Sequence, residues 1–177
     1  MRFYDVAVIV GSNRRESINR KLAQALVALA PSDLKFNWIG VDDLPMYNGD
    51  LETHRPHCVD RFTDEVRAAQ GLLVVMPEHN RSLPAVLKNA IDWGSKPADA
   101  NVWRGQAIAI AGTSPGAIGT AVGQQHLRQL LGVLGAAVMG GECYLQFKPE
   151  LIDAQSQVTV ESTRKFLQGH VARFAEL

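Results

Sequence analysis

The sequence predicts an α/β protein built on a doubly wound, five-stranded parallel sheet with helices on both faces. Three observations lead there. Short apolar runs alternate with segments of helical periodicity along the whole chain. The runs are apolar at nearly every position, as strands covered on both sides must be. The chain's 177 residues are enough to fill one hydrophobic core, so residues 1–177 are read as a single domain.

The elements follow in order. Val6–Val10 (VAVIV) reads as the first strand, and Ile18, Leu22, Ala25, Leu26 and Leu29 recur at helical spacing until Pro31. Leu34–Ile39 is the second strand, followed by a loop rich in Asp, Pro, Asn and Gly from Asp42 to about Pro56. Val59, Phe62, Val66 and Ala69 mark a helix closed by Gly71, and Leu72–Met76 (LLVVM) is a third strand stopped by Pro77. Val86, Leu87, Ala90 and Ile91 carry the next helix, and Ala107–Ala111 is the fourth strand. Leu127, Leu130, Leu131 and Leu134 mark a long helix. Ala137–Met139 and Cys143–Phe147 supply the last strand region, and Leu167, Val171 and Phe174 lie on a closing helix. Right-handed crossovers leave few topologies for this order, and such sheets bind ligands beyond the carboxyl ends of their strands.

Composition narrows the function. Eighteen basic residues balance eighteen acidic ones, so no net field draws the chain to nucleic acid or to an anionic membrane. The apolar runs are strand-sized, and strand pattern begins almost at Met1, so neither a spanning helix nor a signal peptide is expected. Cys58 and Cys143 make no disulfide framework, and a reduced, cytoplasmic protein is expected. His54-Arg55-Pro56-His57-Cys58 has the residue types of a metal site without a second ligand pair at the usual spacing, so no metal is assigned.

Three polar loops would open at one edge of the sheet: Gly11–Asn19 (GSNRRESIN), Pro77–Ser82 (PEHNRS) and Gly112–Gly119 (GTSPGAIG). In the first, Gly11 lets the chain turn out of the strand and Ser17 is placed to cap a helix. The same helix end, with Ser12, Ser17, Asn19 and Arg14, also offers donors to an anion. A capped polar turn and a phosphate pocket are both open on these residues alone. No G-x-G-x-x-G follows the first strand and no G-x-x-x-x-G-K-[ST] occurs; the glycines at 112, 116, 119 and 123 form no dinucleotide fingerprint. A phosphate held by hydroxyls, amides and one arginine points to a terminal monoester.

Taken together, GSNRRESIN, PEHNRSLPAVLKNAIDW, and GTSPGAIGT followed by QQHLRQLLGVLGA resemble the NADPH-dependent FMN reductase family, with its chromate and quinone reductase members. The resemblance runs from Val6 to about Tyr144. It implies a flavodoxin-like fold, bound FMN, NADPH or NADH as co-substrate, and a homodimer or homotetramer. It puts Ser12, Arg14, Ser17, Ile18 and Asn19 at the phosphate, and Pro77, Glu78, His79, Asn80 and Arg81 beside the isoalloxazine ring. Ser114 and Gly116 fall near the ring's pyrimidine edge. Many members carry tyrosines where this chain has His79 and Arg81. Arg81 is therefore read either as a contact for nucleotide phosphate or anionic acceptors, or as a surface or interface cation.

No nucleophile–base pair and no G-x-S-x-G elbow is present, so no side chain is assigned as catalytic. Lys88 and Asp92, four residues apart, are expected to pair, and Trp93 to pack. His126 and Arg128 are read as subunit contacts or as a solvated face. The implied activity is an NAD(P)H oxidoreductase that reduces a small acceptor such as a quinone, flavin, azo compound or chromate through FMN. The alternative is a flavodoxin-like electron carrier served by a protein partner. Flavodoxins are usually strongly acidic, and this chain is neutral.

Overall fold

The computed structural model describes residues 2–177. Its strands are β1 (Tyr4–Val10), β2 (Leu34–Ile39), β3 (Gly71–Val75), β4 (Ala107–Ser114), β5 (Ala137–Val138) and β6 (Tyr144–Gln146). The helices are α1 (Ile18–Leu29), α2 (His57–Ala68), α3 (Ala85–Gly94), α4 (Ala121–Val133) and α5 (Glu161–Ala175). The sheet order is β2-β1-β3-β4-β5, all parallel, with β6 also pairing β4.

Alternation along the strands divides the core into two layers. Ala7, Ile9, Leu72, Val74, Ile108 and Ile110 face α2, α3 and α4, where they meet Phe62, Leu87, Trp93 and Leu127. Val6, Val8, Leu73, Val75, Ala109 and Ala111 face α1 and α5, against Leu22, Leu26, Leu167 and Val171. Two buried faces explain why these strands read as unbroken apolar runs.

The fifth position of the sheet departs from the expected single strand. β5 pairs with Ala107–Ile108 at the amino end of β4, and β6 pairs with Gly112–Ser114 at its carboxyl end. Between them the chain leaves the ladder through Gly140 and Gly141, the latter at φ +84°, a left-handed conformation that glycine adopts without strain. Ile108 accepts from Met139 N at 2.8 Å and Gly112 donates to Cys143 O at 3.2 Å. Alternation therefore turns the backbone of Ile110 toward the gap. His170 of α5, fully buried, lies there with the Ile110 backbone beside its ring and neither ring nitrogen in a closed hydrogen bond.

The long β2–α2 connection is held by α3. The Asn89 amide accepts from Tyr47 N at 2.7 Å and donates to Pro45 O at 2.9 Å, while Trp93 Nε1 donates to the same carbonyl at 2.7 Å. Trp93 is thus a packing residue, as expected, and Lys88 pairs with Asp92 at 2.7 Å. No helix among the described residues is long and apolar enough to cross a membrane.

Burial, reinforced by the positive charges of Arg173 on α5 and Arg128 on α4, lowers the pKa of His170 to about 4. The unfolded chain binds this proton near pH 6.5, so stability is lost as pH falls from about 6.5 toward 4. Urea denaturation at pH 7.5 and 5.0 should show a loss on the order of 2 kcal/mol from this residue. In His170→Leu that part of the pH dependence should vanish. An unchanged pH dependence in the variant would refute the assignment.

Candidate functional site

All three polar loops leave the carboxyl ends of β1, β3 and β4 at the same edge of the sheet. Gly11 continues the ladder by donating to Val75 O at 2.8 Å. A Cβ on Gly11 would sit 3.1 Å from Leu87 Cδ2 and 3.3 Å from Met76 Cβ. The glycine therefore eases the close approach of α3, and its φ is not positive, so the turn geometry the sequence led us to expect does not call for it. Ser17 then caps α1, its Oγ accepting from Arg20 N at 3.3 Å.

From Ser12 to Asn19, no backbone N–H has an acceptor among the described residues. Ser17 is buried, at 4% exposure, and Arg14 has no ion-pair partner there. The loop is a donor set without an internal acceptor, placed at the positive end of a helix.

Asn19 has a different task from its neighbours. Its Nδ2 donates to Thr113 O and its Oδ1 accepts from Thr113 N, both at 2.9 Å. This reciprocal pair is buried and joins the first loop to the third. Thr113 Oγ1 donates onward to Leu145 O at 2.8 Å, tying β6 to the same point.

The second loop is a tight turn. His79 and Ser82 exchange backbone hydrogen bonds of 3.0 and 2.9 Å around Asn80 and Arg81, at φ +50° and +64°. These are the positive angles of a two-residue hairpin turn, adopted here without glycine. Glu78, its side chain only 6% exposed, pairs with Arg81 at 3.0 Å and accepts from Gly123 N in the first turn of α4 at 2.9 Å. A carboxylate there complements the helix N-terminus. A Cβ on Gly123 would lie 2.8 Å from Met76 Cε and 2.9 Å from Ser82 O, so glycine lets α4 approach the loop. His126 Nδ1 lies 3.2 Å from Ser82 Oγ, and Arg128 donates to Met139 O at 2.7 Å. Both residues thus contact their own subunit, and His126 stays exposed, in keeping with a solvated helix face.

The third loop closes on itself. Ser114 Oγ donates to Gly119 O, and Gly119 sits at φ +57° with Leu145 N 3.1 Å from where a Cβ would stand. At Gly112 a Cβ would fall 2.2 Å from Thr120 Oγ1 and 2.4 Å from Met76 O, which no side chain survives. Of the glycines that matched no nucleotide fingerprint, Gly112, Gly119 and Gly123 therefore serve close packing, whereas a Cβ on Gly116 would meet only an ordinary contact.

Together the loops enclose a cleft of about 490 Å³, within the usual range for small-molecule sites. Nine of the twelve expected residues line it: Ser12, Arg14, Ser17, Ile18, Asn19, Pro77, Glu78, His79 and Ser114. A second cavity of about 510 Å³ shares Glu78 and Ser114 and adds Asn80, Arg81 and Gly116. Sequence reasoning missed Pro84, Ala85 and Val86 at the start of α3, an apolar wall, and Thr113, whose role depends on Asn19. Nothing short of the fold signals either. Among the described residues no three His, Cys, Asp or Glu side chains are grouped to hold a metal ion.

Removing the clamp should loosen the site from inside. Asn19→Ala leaves the Thr113 N–H and carbonyl without partners, at a cost of roughly 2–4 kcal/mol in stability. Ser17→Ala, which removes one cap, should cost about 1 kcal/mol. Urea titrations that rank the two variants equally would contradict the clamp.

Comparison with known proteins gives this architecture a family. The family model for NADPH-dependent FMN reductase matches residues 4–150. A 2-hydroxy-1,4-benzoquinone reductase of a Burkholderia species is 45% identical over 171 residues, covering 96% of this chain and 93% of that protein. A quinone reductase of Pseudomonas putida is 44% identical over 174 residues, covering 97% and 93%. The flavoenzyme NAD(P)H:(acceptor) oxidoreductase FerB of Paracoccus denitrificans superposes with a TM-score of 0.94 at 42% identity, over 98% of this chain and 96% of its own. A flavodoxin of Pseudomonas aeruginosa shares the fold alone, at a TM-score of 0.57 and 22% identity. With the family model spanning all three loops, this chain belongs to the NADPH-dependent FMN reductase family.

Proposed function

We propose that the cleft binds FMN and that the protein is an NAD(P)H oxidoreductase for small acceptors, quinones foremost. The observation that carries this reading is the run of unpartnered backbone N–H groups from Ser12 to Asn19 at the mouth of the three-loop cleft. Such a donor set fits a terminal phosphate and has no other partner in the fold. Ser12, Arg14, Ser17 and Ile18 would hold that phosphate, with the backbone N–H of Asn19. Pro77, Glu78, His79, Asn80 and Arg81 would border the ring system, and Ser114 and Gly116 its polar edge.

Bound FMN supplies a ring that accepts hydride from a reduced nicotinamide and hands reducing equivalents to the acceptor. The chain's own part is to bind, orient and shield. The Asn19–Thr113 pair fixes the phosphate loop against the third loop, and Glu78 fixes the second loop against α4. Pro77, Pro84 and Val86 give the cleft apolar walls that exclude water. No side chain is assigned a proton transfer. The quinone reductases among the relatives support the choice of acceptor, and they favour turnover over the electron-carrier alternative. A homodimer or homotetramer in the cytoplasm completes the proposal. The exposed Met46, Ile118 and Val133 support the assembly, and the unbridged Cys58 and Cys143 suit a reducing compartment.

The purified protein should be yellow and should release FMN on heating; FAD or no flavin in the chromatogram would overturn the cofactor. Arg14→Ala should weaken FMN binding by about 1.5–3 kcal/mol, the range for a hydrogen bond to a charged group. Because a single cleft serves both substrates in turn, double-reciprocal plots at several quinone concentrations should be parallel. Intersecting lines would require a second site for simultaneous binding.

A further inference from the structure

On the other side of the first loop lies a separate recess of about 190 Å³ between that loop and the carboxyl end of β2. It shares Ser12, Asn13 and Arg14 with the cleft, so the two are divided by a single stretch of chain. It is too small for a whole flavin or dinucleotide and has room only for one end of a longer ligand.

Its lining is chemically specific. Arg14, Arg15 and Arg20 enter it, and none has an ion-pair partner among the described residues. Asp42 supplies the one carboxylate among the lining residues; the adjacent Asp43 is held by Arg61 at 2.8 Å. The recess thus carries an excess of unspent positive charge on a chain that is neutral overall. Trp38 supplies the one aromatic side chain of the lining, beside Val10, Ile39, Gly40 and Val41. Leu34 and Phe36, which share its face of β2, pack into the α1/α5 layer, whereas Trp38 stays 42% exposed beside the arginines.

An exposed indole, two guanidinium groups beyond the one that also lines the cleft, and a hydroxyl acceptor are the parts needed for a phosphorylated adenosine. The ring offers a stacking face. Arginine forks match phosphate oxygens, and a carboxylate takes a ribose hydroxyl. We propose that this recess holds the 2′-phosphoadenosine end of NADPH. Trp38 stacks on the adenine, Arg15 and Arg20 pair with the 2′-phosphate, and Asp42 accepts from a ribose hydroxyl. The recess thereby sets a preference for NADPH over NADH. Arg81, on the far side of the cleft, is already paired with Glu78 and is not needed for this phosphate. The proposal rests on the reading of the cleft as a flavin site reduced by a nicotinamide nucleotide.

The test compares the FMN-loaded wild-type protein with Arg15→Ala, Arg20→Ala and Trp38→Ala, using 1,4-benzoquinone as acceptor. Each arginine variant should raise the KM for NADPH about tenfold, corresponding to about 1.4 kcal/mol. The KM for NADH, the kcat and the FMN content should stay at wild-type values. Trp38→Ala should raise the KM for both nucleotides, because both carry adenine. Calorimetric titration with 2′,5′-ADP should show binding to the wild type, a loss of about tenfold in either arginine variant, and weaker binding of 5′-AMP throughout. Equal KM values for NADPH and NADH in the wild type, or arginine variants that shift both alike, would overturn the proposal. A protein that holds no FMN and oxidises neither nucleotide would instead overturn the reading of the cleft. The 2′,5′-ADP titration would still decide the recess.

Discussion

The reciprocal hydrogen-bonded pair between Asn19 and the backbone of Thr113 is the constraint on which the site's geometry depends. β1 and β4 are not neighbours in the sheet; β3 lies between them. Without a direct link, the loops that follow β1 and β4 would be related only through two ladders and a layer of apolar packing, which has little directional preference. The Asn19 amide supplies the direction. It uses one donor and one acceptor on a single peptide, so it fixes orientation as well as distance. Because the pair is buried, any state that breaks it leaves polar groups unpaired away from water. The free N–H groups of the first loop therefore stay in one arrangement before any ligand arrives.

The second loop is fixed by a different means. Glu78 stands between the guanidinium of Arg81 and the first turn of α4, and Gly123 removes the side chain that would keep helix and loop apart. These are charge complementarity and steric permission, and neither works alone. Gly112 and Gly119 belong to the same design, since each has neighbours where a Cβ would stand. The polar edge of the sheet is thus assembled by removing side chains at a few points and satisfying backbone at others. The resulting cleft has walls with little freedom to relax, which favours binding by reducing the order that must be imposed on association.

Much of this was legible in the sequence, and the residues show why. Val6–Val10 and Leu72–Met76 could be read as strands to within two residues because burial on both faces leaves their centres no polar position. Ser17 as a cap and Lys88–Asp92 as a pair are local, three or four residues in reach, so spacing alone reveals them. The convergence of three loops followed from the parallel topology. What was not legible is nonlocal. Asn19 meets Thr113 across 94 positions, and no spacing rule connects them. Gly11, Gly112 and Gly123 look like turn or fingerprint residues until their neighbours in space are known. The division of the last strand into β5 and β6 also escaped, because Ala137–Met139 and Cys143–Phe147 both have strand composition. The break between them falls at Gly140 and Gly141, and which residues on either side reach β4 is again nonlocal.

That break has a consequence for how the chain is made. The middle of β4's outer edge is covered by neither of the short strands beside it, but by His170, a residue of the final helix. Strands β1 to β6 are all present once Gln146 has emerged during synthesis, yet the sheet still has an open seam at Ile110. The Val6–Val8–Leu73–Val75 layer likewise lacks Leu167, Val171 and Phe174 until α5 arrives. A nascent or truncated chain ending before α5 therefore exposes both apolar surface and unpaired backbone, the two features that recruit chaperones or other chains. Helix α5 acts as the closing step of a vectorial process: a sheet laid down strand by strand cannot seal its own edge and layer until that helix has been delivered.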